Sequence, residues 1–399
     1  MPKKVLIQLD CDPQPSTFDA IVAVDAGADV LLRHGGATVE NVASLVHGGM
    51  FTRGGGDLAS TAIFIGGSDV AAAEAVAAKV RATFFGPVRF GVLVDPSGAN
   101  TTAAAAVVAV GRHLPLAAGS AAPCRAVVLG GTGPVGQRVA RLLAGKGAHV
   151  AVVSRSRERA AAVTQQLIVT AGSSAANIEA IEHHGGVLAD SGFARVIAAA
   201  DVIVAAGAAG ATLLDAAGRR AATNARVLID LNAVPPSGIE GVSAGDKARA
   251  DGQAVVYGAL GVGGTKMKIH KAALARIFSA TDAFLDAEDL LAIGEGLEVA
   301  RRSIDSSMSR PRLLVQAQRR KAWGEVPPVS APSVARPRPY GLRLVRSLYK
   351  PNAVRRGVNH RQTPCPAWFA RGLTAAVQKR SCGPSPSSVA RRHDRSGGA

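Results

Sequence analysis

The stretch VVLGGTGPVGQRVARLLAGKGAHVAVVSRSRER, residues 127–159, decides the fold of this chain. An apolar strand enters the glycine-rich turn GTGPVG, a helix with an apolar stripe leaves it, and a second apolar strand, HVAVVS, follows. In such a unit Gly131 permits the tight reversal, Gly133 lets the backbone approach a pyrophosphate, and Gly136 lets the helix pack closely on the strand. The N-terminus of the helix also favours the phosphate charge. The stretch therefore predicts a Rossmann-type domain that binds a dinucleotide.

The end of the second strand indicates which dinucleotide is bound. An NAD site has Asp or Glu here for the ribose 2′-hydroxyl, whereas this chain has Ser154, Arg155 and Ser156. An arginine and two hydroxyls can bind a 2′-phosphate, which an acid would repel, so we expect NADP. The alternatives are a turn that binds no nucleotide and an Arg155 that only caps a solvated strand end. The expected cofactor contacts, two of them at the ends of later strands, are Gly131, Thr132, Gly133, Pro134, Val135, Gly136, Ser154, Arg155, Ser156, Ala206 and Asn232.

Strand-like and Ala-rich helical segments alternate along the first 300 residues. The strand-like segments KVLIQLD, STAIFIGG and FGVLVD are each followed by a helical run, which gives three βα units before residue 115. Small residues interrupt the pattern at LPLAAGSAAPC, and a second alternating series then begins. The prediction is an α/β fold with an N-terminal substrate domain over residues 1–115 and a Rossmann domain with a mostly parallel sheet over residues 116–265. We expect helices in about residues 266–300 to complete the first domain.

Residues 301–399 have a different composition from the rest of the chain. They contain 21 of the 46 Lys and Arg, 11 of the 21 prolines and both tryptophans, but only three acids. The first 300 residues are nearly neutral, so the net charge of +17 comes from this tail. We expect the tail to be disordered, because no apolar periodicity persists in it. A basic arm for nucleic acid is the alternative, but the tail has no nucleic-acid-binding motif, and nucleic acid is not an expected partner.

Neither metal binding nor membrane insertion is expected. The four cysteines, Cys11, Cys124, Cys365 and Cys382, form no C-x-x-C pair, and the histidines show no ligand spacing. The most apolar window, residues 196–214, contains Asp201 and two glycines, which predicts a buried strand with its turn rather than a membrane span. The N-terminus MPKKVLIQLD lacks the apolar region and cleavage site of a signal peptide, so we expect a cytoplasmic protein.

Three further segments carry candidate substrate-binding residues. They are Phe18-Asp19 after the first strand, DPSGANTT at 95–102 after the third, and GALGVGGTKMKIHKAALARIF at 258–278. In the last segment we expect the glycines to end a loop and a helix to start near Thr265. Lys266 and His270 would then lie one turn apart on one helix face, where they could orient a polar substrate between the domains. By spacing alone, a basic and solvated helix start is the simpler interpretation.

Six segments taken together resemble one known family. In chain order, within about residues 1–298, they are STFDAIVAVDAGAD, TRGGG with STAIFIGG, DPSGANTTAAA, VVLGGTGPVG, DLNAVPPSGIEGV and GALGVGGTKMKIHKA. The set is similar to the NADP-dependent methylenetetrahydromethanopterin/methylenetetrahydrofolate dehydrogenases of methylotrophic bacteria. These enzymes remove hydride from the methylene carbon that bridges two pterin nitrogens. The resemblance therefore implies an NADP-dependent oxidoreductase of one-carbon metabolism.

The resemblance also implies site residues and an assembly. The family's active-site phenylalanine, threonine, lysine and histidine fall on Phe18, Thr102, Lys266 and His270. Family members form homotrimers, in which a neighbouring subunit completes the pterin cleft. The tail has no counterpart in the family pattern, and Thr265 replaces an aliphatic residue. Tetrahydromethanopterin and tetrahydrofolate present the same reacting ring, so the sequence leaves the carrier open.

Three other functions remain open on the residues alone. Another NADP-dependent two-domain reductase, such as a shikimate-dehydrogenase-like enzyme, would need a catalytic Lys-Asp pair in the first domain, where Lys3, Lys4 and Lys79 have no such context. A non-catalytic NADP-sensing protein would tolerate the loss of Lys266 and His270. A nucleic-acid binder acting through the tail would show salt-dependent binding that is lost on truncation near residue 300.

Overall fold

Strands and helices alternate through the part of the chain that the structure describes. The computed structural model describes residues 2–116, 120, 122–171, 177–184 and 191–303. The strands are β1 (Val5–Asp10), β2 (Val30–His34), β3 (Thr61–Gly66), β4 (Gly91–Val94), β5 (Arg125–Leu129), β6 (His149–Ser154), β7 (Ile178–Glu182), β8 (Val202–Ala205), β9 (Val227–Asp230), β10 (Lys247–Asp251), β11 (Ala254–Tyr257) and β12 (Phe284–Leu285). The helices are α1 (Thr17–Asp25), α2 (Val42–Thr52), α3 (Val70–Thr83), α4 (Ala99–Gly111), α5 (Pro134–Gly145), α6 (Arg157–Ala171), α7 (Ser191–Ala199), α8 (Ala216–Ala221), α9 (Ala259–Ile277) and α10 (287–303). The predicted α/β class is confirmed. The disorder predicted for the tail is not tested over residues 304–399, which lie outside the described residues.

The first sheet is parallel throughout, with the strand order β12-β4-β3-β1-β2. Its strands β3 and β4 are buried along their whole length, as expected for apolar runs in a sheet covered on both faces. The three predicted βα units correspond to β1 with α1, β3 with α3, and β4 with α4, and are confirmed. The sequence does not predict β2 and α2. Strand β2 is a partly exposed edge strand ending in Arg33-His34, and α2 contains Gly48-Gly49, which weakens a helix pattern.

The second sheet has the strand order β10-β11-β9-β8-β5-β6-β7. All its pairs are parallel except β10 with β11, which forms an antiparallel edge that the sequence does not predict. The six strands other than β10 follow the order of doubly wound dinucleotide-binding sheets, so the predicted mostly parallel Rossmann-type sheet is confirmed. In such sheets the ligand crevice lies at the carboxyl ends of the strands where the order reverses, here β5 and β8.

Helix α4 lies at the centre of the core that the two sheets share. It consists largely of alanine and valine, and its residues from Ala103 to Val110 are all buried. Its small side chains let α5 and α9 pack closely against it. One continuous apolar core therefore runs from Phe64 and Leu93 of the first sheet to Val128 and Val152 of the second. After α9 the chain returns to the first sheet, where β12 pairs with β4.

Two kinds of feature are absent from the described part of the chain. No group of three or more His, Cys, Asp or Glu side chains is arranged there to hold a metal ion. None of the helices there is both long enough and apolar enough to cross a membrane.

Candidate active site

The glycine-rich turn follows β5 directly and leads into α5. Its reversal begins one residue before the predicted motif, at Gly130, whose φ of +69° favours glycine. A Cβ at Gly131 would lie 2.9 Å from Val128 O, and one at Gly136 would lie 2.6 Å from Gly130 O, so close packing requires both glycines. A Cβ at Gly133 would meet its nearest atoms only at 3.5 and 3.6 Å. The fold alone therefore does not require Gly133, and the space beside it suits the close approach of a pyrophosphate.

Hydrogen bonds to neighbouring segments fix the turn in place. Gly131 N donates to Val153 O of β6 at 3.0 Å, and Gln137 Nε2 donates to Thr132 O at 2.8 Å. The Thr132 hydroxyl lies 3.4 Å from the Ser154 hydroxyl. Pro134 opens α5 at its first position, where no hydrogen-bond donor is needed, and Val135 packs against the core. The N-terminus of α5 is thus held rigidly at the edge of the sheet.

The predicted 2′-phosphate segment lies at the carboxyl end of β6. Ser154 is 9% exposed and accepts a hydrogen bond from Ser156 N at 3.3 Å, whereas Arg155 is exposed. The Ser156 hydroxyl accepts from Arg159 N at 3.2 Å and donates to Glu158 at 2.8 Å, which caps α6. A hydrogen bond from its own backbone N–H, together with the one from Ser156, holds the pKa of the Glu158 carboxyl below its usual range. In this arrangement Ser156 shapes the loop, and Arg155 supplies its positive charge.

The two other predicted cofactor contacts lie at the ends of adjacent strands. Ala206 N donates to Leu129 O at 2.8 Å, which places Ala206 beside the start of the turn. Asn232 follows β9, and its side chain donates to Pro236 O at 3.0 Å and accepts from Val234 N at 3.0 Å. Asn232 therefore braces the loop that contains the cis Pro235-Pro236 bond. Its side chain is committed mainly to that loop.

The four predicted catalytic residues are brought together by three helices. Lys266 and His270 lie one turn apart on α9, Thr102 lies on α4, and Phe18 lies on α1. Lys266 Nζ donates to Thr102 Oγ1 at 3.0 Å, and the ring centroids of Phe18 and His270 are 6.5 Å apart. One correction concerns α9, which begins at Ala259 rather than near Thr265. Gly261 belongs to the helix because the helix packs closely on the segment around Asp246, and a Cβ at Gly261 would collide with Asp246 O.

A tight turn before α4 holds Lys266 in place. Ser97 and Gly98 have φ values of +55° and +61°, which directs the chain from β4 into α4. Asp95 supports this turn by accepting hydrogen bonds from Thr101 N at 3.0 Å and Thr101 Oγ1 at 2.6 Å. The Gly98 carbonyl then accepts from Lys266 Nζ at 3.1 Å and from Thr102 Oγ1 at 2.6 Å. Gly98 is therefore a site residue that the sequence analysis does not single out, although a glycine between a strand and a helix is the signal for it.

Burial shifts the ionisation of two groups in this cluster. His270 is 1% exposed and stacks on Phe64 at 5.7 Å between ring centroids. Burial lowers its pKa, an effect that the Asp95 carboxylate opposes and the Lys266 cation adds to. The imidazole is therefore neutral near pH 7. Neither of its ring nitrogens has a hydrogen-bond partner among the described residues. Burial also raises the pKa of the Asp19 carboxyl to about 7, which a hydrogen bond from Ser16 partly opposes.

Comparisons with known proteins show the family to which this chain is similar. Residues 17–97 match the family described as "Methylene-tetrahydromethanopterin dehydrogenase, N-terminal". Two relatives come from Methylorubrum extorquens. "Bifunctional protein MdtA" is 40% identical over 290 residues, covering 73% of this chain and 97% of the relative. "NAD(P)-dependent methylenetetrahydromethanopterin dehydrogenase" is 33% identical over 269 residues, covering 67% of this chain and 89% of the relative.

Among solved structures, quinate dehydrogenase from Corynebacterium glutamicum in complex with NAD is 15% identical, with a TM-score of 0.39 over 73% of this chain and 98% of that one. The family is assigned from the two relatives, because each is more than 30% identical to this chain and is matched over most of its length. This chain therefore belongs to the methylenetetrahydromethanopterin dehydrogenase family.

Proposed function

We propose that this protein oxidises methylenetetrahydromethanopterin, methylenetetrahydrofolate or both to the methenyl form, with NADP as the cofactor. The observation that carries the proposal is the cluster of Lys266, Thr102, Phe18 and His270 in a chain of this family. The predicted enzyme class, an NAD(P)-dependent oxidoreductase, is confirmed at the level of the family. Family membership favours this reaction over a shikimate-type reductase and over a non-catalytic sensor.

The residues around the glycine turn fit NADP. Gly133 leaves room for close approach at the N-terminus of α5, a helix of 12 residues in which the amides after Pro134 can meet a pyrophosphate. Arg155 and the Ser154 hydroxyl supply a cation and a hydroxyl where an NAD site would have an acid. When bound, NADP supplies the hydride acceptor. The protein's part is to hold it at the carboxyl ends of β5, β6 and β8.

The reaction transfers one hydride and creates one positive charge on the substrate. The C–H bond of the methylene carbon breaks, its electron pair leaves with the hydride, and methenyl product and NADPH result. The adjacent pterin nitrogens stabilise the cation, so the hydride step needs no general base. Positioning of the donor carbon within near-attack range is then the main task of the protein.

Phe18 and His270 are suited to bind the pterin ring. Phe18 is 45% exposed and offers a face for stacking beside the buried imidazole. A neutral imidazole has one donor and one acceptor nitrogen, and in His270 both lack a partner among the described residues. Both nitrogens are buried, so Phe18 is the ring of this pair that faces the pterin directly. A neutral His270 also adds no charge that would oppose the forming cation.

Lys266 and Thr102 act as one unit. The Thr102 hydroxyl donates to Gly98 O and accepts from Lys266 Nζ, which fixes the amine. A positive amine beside a forming cation would slow the reaction if it were left unpaired. The Gly98 carbonyl offsets part of this charge, and the third amine proton stays available for a substrate oxygen. We assign substrate orientation to Lys266 and the positioning of Lys266 to Thr102.

The domain roles and the assembly are part of the proposal. Residues 1–115, completed by helices in about residues 266–300, would bind the pterin, and residues 116–265 would bind NADP. Helix α1 exposes Phe18, Ile21 and Val24 by 45%, 58% and 56%, an apolar face that a second copy of this chain could cover next to the site. We propose a cytoplasmic homotrimer of methylotrophic one-carbon metabolism. Light scattering of the purified protein would distinguish a trimer from a monomer.

The test is an absorbance assay of the purified full-length protein. Methylenetetrahydromethanopterin and methylenetetrahydrofolate are each mixed with NADP or NAD, and the methenyl product and reduced nicotinamide are followed. We expect turnover with at least one carrier and a clear preference for NADP, and the faster carrier identifies the substrate. NADP binding without turnover on either pterin would contradict the proposed reaction.

A further inference from the structure

Arg138 is a buried charged residue outside the predicted site. It lies on α5, four residues after Pro134, and is only 8% exposed. A buried guanidinium is costly unless its donors are paired. Burial lowers the pKa of Arg138, while the nearby Glu74 carboxylate opposes this effect. Neither solubility nor a surface ion pair therefore explains why an arginine is buried here.

The partners of Arg138 come from three different parts of the molecule. Its Nη1 donates to Pro134 O at 2.9 Å, at the end of the glycine turn. Its Nη2 donates to Glu74 Oε1 of α3 at 2.6 Å, and its Nε donates to Asn100 Oδ1 of α4. The planar fork of arginine places its donors on three separate nitrogens, so it can reach these three acceptors at once, whereas the three donors of a lysine share one nitrogen.

Asn100 extends this connection to the substrate side. It is 3% exposed, and its Nδ2 donates to Val94 O, the last residue of β4, at 2.6 Å. Thr102, which holds Lys266, follows two residues later on α4. A continuous path of hydrogen bonds therefore leads from the proposed pyrophosphate turn of the second sheet to the segment that holds Lys266 at the first.

We propose that Arg138 is a positioning residue for hydride transfer, which sets the distance and angle between the NADP-binding turn and the pterin-binding cluster. The proposal rests on the proposed function, because the two reactants are assigned to the two sheets. Misplacement of reacting groups by about 1 Å can cost on the order of 10²-fold in rate. Since Arg138 touches neither proposed ligand, its loss should change the rate of hydride transfer more than the binding of NADP.

The experiment compares Arg138→Lys and Arg138→Met with the wild-type enzyme. NADP affinity is measured by calorimetry, and kcat and KM are measured with protiated and methylene-deuterated pterin. We expect a fall in kcat on the order of 10²-fold for Arg138→Met. The deuterium isotope effect on kcat should rise, because the hydride step becomes slower, while NADP affinity stays within about threefold. Arg138→Lys should restore little, since it keeps the charge but loses the planar fork.

Arg141→Met is the matched control. Arg141 lies three residues further along α5 and pairs with Glu288 of α10 at 2.6 Å, so it shares none of the hydrogen-bond partners given for Arg138. We expect its kcat and isotope effect to match the wild type. If Arg138→Met does not fold, Glu74→Gln is the milder test, because Glu74 is largely exposed and the change keeps its shape. Glu74→Gln should also raise the deuterium isotope effect on kcat.

Two results would overturn the role of Arg138. One is an Arg138→Met variant with an unchanged isotope effect, in which kcat falls only as much as the fraction of protein that binds NADP. This result is expected for a residue that only stabilises the fold. The other is wild-type kcat in Arg138→Met. Absence of turnover in the wild-type enzyme would instead count against the proposed function, so the two failures are distinguishable.

Discussion

Replacement of Gly98 by alanine tests how the active-site lysine is held. Gly98 has a φ of +61°, and a Cβ there would collide with Lys266 Nζ. The substitution therefore imposes backbone strain and also displaces an amine that now donates to Gly98 O at 3.1 Å and to Thr102 Oγ1 at 3.0 Å. The first effect acts on stability, and the second acts on turnover.

The two effects have different magnitudes. The left-handed conformation costs an alanine about 1–2 kcal/mol, so the free energy of unfolding should fall by about that amount. The lysine is flexible and can move away, which limits the steric cost to the fold. Its movement of about 1 Å or more should lower kcat/KM for the pterin on the order of 10²-fold. NADP affinity should change little, since no contact of the glycine turn is altered.

Steady-state kinetics in a double-mutant cycle with Lys266→Met checks this reasoning. If alanine at position 98 acts through the lysine, it should cost little further activity in the Lys266→Met background. Gly111→Ala is the control, because Gly111 ends the same helix and a Cβ there would meet nothing within 4 Å. Wild-type kcat/KM in Gly98→Ala would refute the reasoning. So would a double variant in which Gly98→Ala lowers kcat/KM as much in the Lys266→Met background as in the wild type.

Three further predictions concern other parts of the site. Lys266→Met should reduce kcat far more than NADP affinity, as measured by kinetics and calorimetry, and an equal loss of both would contradict the assignment. Arg155→Ala should lower the ratio of kcat/KM for NADP over NAD by about 10- to 100-fold, the value of a charge-assisted hydrogen bond, and an unchanged ratio would exclude Arg155 from 2′-phosphate binding. Asp19→Asn should flatten the pH dependence of stability. The native Asp19 carboxyl has a pKa of about 7 instead of 3.8, so wild-type stability is lost as pH rises from about 4 to about 7, because only the unfolded chain releases the proton there. Denaturant unfolding at several pH values measures this, and equal slopes for both proteins would contradict it.

The local parts of the fold could be predicted because their causes are local. The glycine turn, its flanking strands and the buried α4 each follow from a few consecutive residues, as does the Ser154-Arg155-Ser156 segment. The error in the start of α9 has a tertiary cause. The glycines of α9 suggest a loop up to Thr265, but close packing of Gly261 on Asp246 stabilises a helix from Ala259. Tertiary contacts there outweigh helix propensity.

By itself, the sequence determined the α/β alternation, the Rossmann-type turn and the chemical types of the candidate site residues. Only the tertiary structure decided that Gly98 and Thr102 would meet Lys266, 168 and 164 residues away in the chain, and that Arg138 would join Glu74 to Asn100. These pairs depend on how α4, α5 and α9 pack around a shared core. Helix packing is set by the combined shape of many side chains, and no short pattern encodes the pairs that it brings together.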